Sequence, residues 1–81
     1  MDVTIKYFAA IRDIVGSAES TMQLPAGTTV GSLVRILTDT YNGVGEWAPY
    51  MRIAVNRRYA EPGTEIRPGD EVAVIPPVSG G

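Results

Sequence analysis

The residues of this chain with the most pointed chemistry are the last two, Gly80 and Gly81, set behind Pro76, Pro77, Val78 and Ser79. Neither glycine has a Cβ, so a Gly-Gly end can enter a passage too narrow for any other residue, and the two prolines keep the preceding segment extended. Such an end can carry its own carboxylate into another protein's active site. The reactive group is then the Gly81 carboxyl itself. An inert frayed end is the alternative reading, since termini are often small-residue rich and disordered. Delivery is favoured by the way the chain arrives there. Val72-Ala73-Val74-Ile75 reads as a strand that Pro76 and Pro77 must end, because proline lacks the ladder N–H and fixes φ near −65°. The expected division is a folded domain over residues 1–75 and a flexible tail over 76–81.

The rest of the side-chain inventory argues against self-contained enzymology. The sequence has no cysteine, which removes disulfides, thiolate nucleophiles and Cys-based zinc sites, and no histidine, the commonest general base and metal ligand. No cofactor or metal is expected on the chain. Gly43-Val44-Gly45-Glu46-Trp47-Ala48 has the letters of a dinucleotide fingerprint, but that motif follows a strand and opens a helix. Here it follows a helical stretch and runs into Pro49. Asp70 and Glu71, neighbours on a strand, point to opposite faces and read as solvated charges beside a turn. Arg57-Arg58 reads as an exposed turn. A net charge of −2 with seven basic residues scattered along the chain disfavours a nucleic-acid surface, and no apolar run is long enough to span a bilayer. Met1-Asp2-Val3-Thr4 lacks the features of a signal peptide, so a cytoplasmic location is expected. Lys6 is the sole lysine, which disfavours polymers built on the chain's own lysines.

The elements that must hold such a tail can be read from apolar spacing. At 81 residues, 44% hydrophobic and 20% charged, the chain has room for one core. Residues 2–8 alternate through Val3, Ile5 and Tyr7 as a strand, and Ile11, Ile14 and Val15 then take helical spacing up to a stop at Gly16. A second strand is predicted over 20–24, followed by a turn at Pro25-Ala26-Gly27. Thr28 or Thr29 caps the main helix, whose stripe is Val30, Leu33, Val34, Leu37 and Tyr41 and whose left-handed stop is Asn42-Gly43. Residues 43–49 read as a loop, 51–55 as a third strand and Asn56-Arg57-Arg58 as the turn out of it. Pro62-Gly63 and Pro68-Gly69 suggest type II turns, with a short strand near 65–66 and a final strand at 71–75. The prediction is an α+β domain, a mixed sheet of about five strands with one main helix on one face and a short helix after the first strand. That is the element order of the β-grasp, or ubiquitin, fold.

One helix cannot cover both faces of a sheet. If Val3, Ile5, Tyr7, Met51, Ile53, Val55, Val72 and Val74 face the helix, then Phe8, Ala54, Ala73 and Ile75 face away from it, with Tyr59 near the same edge. An exposed apolar cluster beside the departing tail marks a partner surface. Cover by loops, or single exposed groups without meaning, is the alternative.

Along nearly its whole length the chain resembles the molybdopterin synthase small-subunit family, which are ubiquitin-like sulfur carriers. The matching residues are Phe8-Ala9 with Arg12-Asp13, Leu24-Pro25-Ala26-Gly27-Thr28-Thr29-Val30 into Leu33, Ala54-Val55-Asn56, Gly69-Asp70-Glu71-Val72-Ala73 and the closing Ile75-Pro76-Pro77-Val78-Ser79-Gly80-Gly81. The resemblance implies that an E1-like adenylyltransferase uses ATP and Mg²⁺ to adenylate Gly81, and that sulfur from a separate persulfide donor replaces AMP to leave a thiocarboxylate. It implies further that residues 76–80 thread into a large subunit, in a complex of two small and two large subunits, where the sulfur attacks cyclic pyranopterin monophosphate. The chain would then be a non-catalytic sulfur-donor subunit of the synthase, with catalytic groups supplied by the large subunit. Phe8, Tyr59 and Ile75 would form the docking surface, Tyr59 standing where the resemblance leads to an aliphatic residue. The alternatives are a carrier for thiamine or tRNA thiolation, a ubiquitin-like modifier joined to lysines through Gly81, and a binding module with an inert tail. Thiamine carriers are typically shorter and lack the Pro-Pro-Val-Ser stem.

Overall fold

The computed structural model describes residues 1–77. Its elements are β1 (Asp2–Tyr7), α1 (Ala9–Val15), β2 (Glu19–Gln23), α2 (Val30–Thr40), α3 (Val44–Trp47), a 3₁₀ turn (Ala48–Tyr50), β3 (Arg52–Val55), β4 (Arg58–Tyr59) and β5 (Glu71–Ile75). The strands form one mixed sheet in the order β2-β1-β5-β3-β4, with β1 and β5 parallel and the other pairs antiparallel. This is the predicted β-grasp. Its last strand lies at the centre of the sheet, between β1 and β3, so the chain exits from the middle of the fold.

The alternation of β1 and β5 turns Val3, Ile5, Tyr7, Val72 and Val74 inward, where all five are buried. Ile53 joins them from β3, Ile11 from α1, Val30, Leu33 and Leu37 from α2, and Val44 from α3, in one cluster. All three helices therefore lie over the same face. Val55 and Met51, predicted to face the helix, are partly buried against that cluster. Tyr7 is buried with its ring edge-to-face against Tyr41, and its hydroxyl is 2.7 Å from Ser20 Oγ. Burial raises the Tyr7 pKa above the ordinary phenol value, and the Ser20 hydrogen bond offsets part of that.

Caps and turns settle the boundaries. Gly16, at φ 83°, closes α1 in the left-handed region. Thr29 is the cap of α2, accepting from Ser32 N at 3.2 Å, whereas the buried Thr28 hydroxyl donates to Pro25 O at 2.7 Å. Four expectations need correction. First, α2 ends on an extended Tyr41, and Gly43, left-handed at φ 105°, opens α3 instead of stopping α2. Second, the predicted loop is helical over Val44–Trp47 because Val44 is drawn into the core, and Pro49 suits the start of the 3₁₀ turn. Third, Arg58 belongs to β4, and the short strand predicted near 65–66 is only an isolated bridge between Glu65 and Thr29. Ile66 is buried there without a ladder. Fourth, only Gly69 has the positive φ of a type II turn; Gly63 does not, although Thr64 N still donates to Glu61 O at 2.9 Å. Among the described residues no helix is long and apolar enough to cross a membrane.

Candidate functional site

The face of the sheet opposite the helices is built from the outward alternates of β1, β5, β3 and β4. Lys6 is registered against Ala73, Ala73 against Ala54 and Ala54 against Tyr59, which makes one row across four strands. A second row lies one step nearer the chain exit, where Ile75 opposes Arg52 and Phe8, just past β1, donates its N–H to Val74 O at 3.3 Å. The parallel pairing of β1 and β5 is what brings Phe8 level with Ile75. Without β5 at the sheet centre, residues 8, 59 and 75 would have no reason to meet.

They do meet. Phe8, Tyr59 and Ile75 line one shallow groove of about 430 Å³ whose floor includes Ala54 and Ala73. Phe8 is 45% exposed and Tyr59 66%, so the apolar cluster expected beside the tail is open and uncovered by loops among the described residues. Ala54 and Ala73 keep the floor low between these larger side chains. The rim adds Lys6, Arg57 and Glu71, with Lys6 Nζ 3.4 Å from Glu71 Oε2. At the chain exit Pro76 is buried and Pro77 exposed, one residue beyond the predicted domain boundary at 75. The predicted tail residues Val78, Ser79, Gly80 and Gly81 lie outside the described residues.

The decoys resolve into structure. Asp70, read as solvated, anchors two segments: its Oδ1 accepts from Asn56 Nδ2 at 2.9 Å and its Oδ2 from Arg67 N at 2.8 Å. Glu71 takes up Lys6 instead of pairing with Asp70. Gly43 caps α3 and Gly45 lies within it, against Ile14 and Thr38 on the helical side of the sheet and away from the groove. Arg52 was not singled out by sequence, and Lys6 only as the sole lysine, although their alternation with buried Ile53 and Ile5 already assigns both to the open face. Arg52 places its guanidinium carbon 4.6 Å from the centre of the Tyr59 ring.

Fold and groove together define a β-grasp protein that presents an apolar face beside the exit of its own C-terminal segment. The chain belongs to the ThiS family, which matches residues 5–81. It is 36% identical to the molybdopterin synthase sulfur carrier subunit of Caenorhabditis briggsae, over 100% of this chain and 99% of that protein. It is also 30% identical to small archaeal modifier protein 3 of Haloferax volcanii, over the full length of both. Among solved structures, a Pyrococcus furiosus protein assigned as molybdopterin converting factor subunit 1 superposes with a TM-score of 0.86 at 32% identity, over 96% of this chain and 99% of that one. A complex of subunits 1 and 2 of the molybdopterin-converting factor from Helicobacter pylori contains a chain that matches with a TM-score of 0.73 at 26% identity, over 100% of both chains.

Proposed function

We propose that this chain is the sulfur carrier subunit of a molybdopterin synthase. The observation that carries the reading is the open groove of Phe8, Tyr59 and Ile75 at the exit of a central last strand, in a chain whose sequence closes on Pro-Pro-Val-Ser-Gly-Gly. The Gly81 carboxylate attacks the α-phosphate of ATP on an E1-like adenylyltransferase, with Mg²⁺ held there, releasing pyrophosphate and leaving an acyl adenylate. The donor's persulfide then attacks the acyl carbon and expels AMP, and a thiol cleaves the acyl disulfide so formed, taking the donor sulfur into a disulfide and releasing the thiocarboxylate; free sulfide reaches the same product in one step. The resulting thiocarboxylate is anionic and nucleophilic without a neighbouring base, so the lack of histidine and cysteine is no handicap. Docking through the groove seats the tail beyond the buried Pro76 in the large subunit and presents the sulfur to cyclic pyranopterin monophosphate. A dithiolene needs two sulfurs, so the carrier must leave and be recharged, consistent with a two-plus-two complex.

Intact mass after incubation with a molybdopterin-pathway activating enzyme, MgATP and a sulfide source tests the first half. The expected result is a gain of about 16 Da, oxygen exchanged for sulfur, absent from a Gly81 deletion. Conversion of the pterin precursor by the charged chain plus large subunit tests the second. The 30% identity to the archaeal modifier protein favours one further reading, conjugation to lysines. An isopeptide between Gly81 and a target lysine, seen by mass spectrometry when the same activating enzyme is supplied without the large subunit, would support it.

A further inference from the structure

Arg52 opens β3 directly opposite Ile75, the last residue of β5, and lies over the ring of Tyr59. Both side chains are exposed. A guanidinium over a ring face retains N–H donors for a further partner, in the fork that fits a carboxylate. Among the described residues Arg52 forms no ion pair; the pair on this face joins Lys6 to Glu71. The chain as a whole carries a net charge of −2. In the groove Lys6 and Glu71 neutralise each other and leave Arg57; Arg52 borders it across Tyr59, in the neighbouring hollow that Glu61 also lines, and adds a second guanidinium, so this side carries a net positive charge. A basic spot on an acidic protein, set against the apolar cluster at the root of the tail, favours a partner surface that is apolar at its centre and acidic at its rim.

We infer that Arg52, held on Tyr59, is a specificity-determining residue of the docking face that receives a carboxylate from the rim of the large-subunit partner. The inference rests on the function proposed above. Tyr59 then has two tasks. Its ring supplies apolar contact in the groove, and its face holds the guanidinium so that less side-chain freedom is lost on docking. Phe8 and Ile75 provide the apolar area, while Arg52 selects among partners that offer similar area.

The test is titration calorimetry of the full chain against its large subunit at about 50 and about 300 mM NaCl, for wild type, Arg52→Lys, Arg52→Gln and Arg52→Glu, with Tm measured for each. At low salt the expected loss of affinity is about fivefold for Arg52→Gln and on the order of thirtyfold for Arg52→Glu, with Arg52→Lys between wild type and Arg52→Gln. The differences should shrink at high salt and Tm should stay near wild type. Equal affinity and equal salt dependence for wild type and Arg52→Glu would overturn the inference while leaving the proposed function standing. So would a loss of the same size at both salt concentrations accompanied by a lowered Tm, which would make Arg52 merely structural. Failure of the wild-type chain to bind the large subunit at all would overturn the function and the inference together.

Discussion

At φ 50° Ala9 holds a left-handed backbone angle directly after the extended Phe8, a combination that costs a residue with a Cβ about 1 kcal/mol. The turn it makes swings the chain from β1 into α1 and leaves Phe8 standing at the groove. Ala9→Gly should therefore be neutral or stabilising by up to about 1 kcal/mol, relief of strain outweighing the added freedom of the unfolded chain, whereas Ala9→Val should destabilise by more than about 1 kcal/mol. Urea unfolding midpoints decide both. Tyr7 carries a different residue-scale expectation. Its pKa is raised in the folded state, so below the ordinary phenol pKa of about 10 the neutral hydroxyl is kept in both states and its contribution is intact. Above that pH the unfolded chain loses the proton while the folded one keeps it, and stability falls as pH rises towards the folded value. Tyr7→Phe should cost about 1 kcal/mol at pH 7 through loss of the Ser20 hydrogen bond, and the gap to wild type should narrow when Tm is followed from pH 9 to 11.

The β3–β4 hairpin decides where Tyr59 and Arg57 lie. Asn56 and Arg57 both have positive φ, 51° and 71°, as a two-residue type I′ turn requires. Asn56 also ties the hairpin to β5, donating from Nδ2 to Asp70, accepting at Oδ1 from Glu71 N at 3.0 Å and donating its own N–H to Glu71 O at 2.8 Å. Asn56→Ala should lower stability by about 2 kcal/mol and loosen Tyr59, read as a drop in Tm together with faster amide exchange at residues 58–60. Arg57→Gly should raise Tm, since glycine adopts that φ without strain. This hairpin also shows what was legible beforehand. Strand β1 and helix α2 could be read because Val3, Ile5 and Tyr7 alternate and Val30, Leu33 and Leu37 repeat at helical spacing. Strand β4 could not, because Arg58–Tyr59 is too short to show a period and its pairing rests on a turn with no glycine. Helix α3 was hidden by Gly45 and Pro49, and its single core residue, Val44, is indistinguishable from a loop valine by pattern. The open face was legible from strand alternation, but not the rows across it, which depend on β5 pairing with both β1 and β3.

At the scale of the whole molecule, the proposed function makes the fold a handle with an arm of set length. Pro76 is buried against the body and Pro77 is exposed, so under the proposed function the arm that enters the partner is counted from Pro77 to Gly81. An extended chain spans at most about 3.3–3.6 Å per residue, which limits the reach of that arm to roughly 17 Å beyond the groove. A partner docked in this way must bring its reacting centre within that distance of Pro76. Deleting Ser79 shortens the arm by about 3.5 Å and leaves every residue of the groove in place. A 1 Å misplacement at a reacting centre can cost on the order of a hundredfold, so sulfur transfer in the large subunit should fall by at least that factor while Tm and the affinity of the uncharged chain for the large subunit change little. Phe8→Asp gives the complementary result, a loss of large-subunit affinity with a folded body, because Phe8 is already 45% exposed and contributes little to the core. Single-turnover assays on the pre-formed thiocarboxylate separate the two effects. Saturating large subunit should rescue Phe8→Asp and fail to rescue the shortened arm. Rescue of both would mean that the groove and the tail do not act as a handle and an arm of matched length.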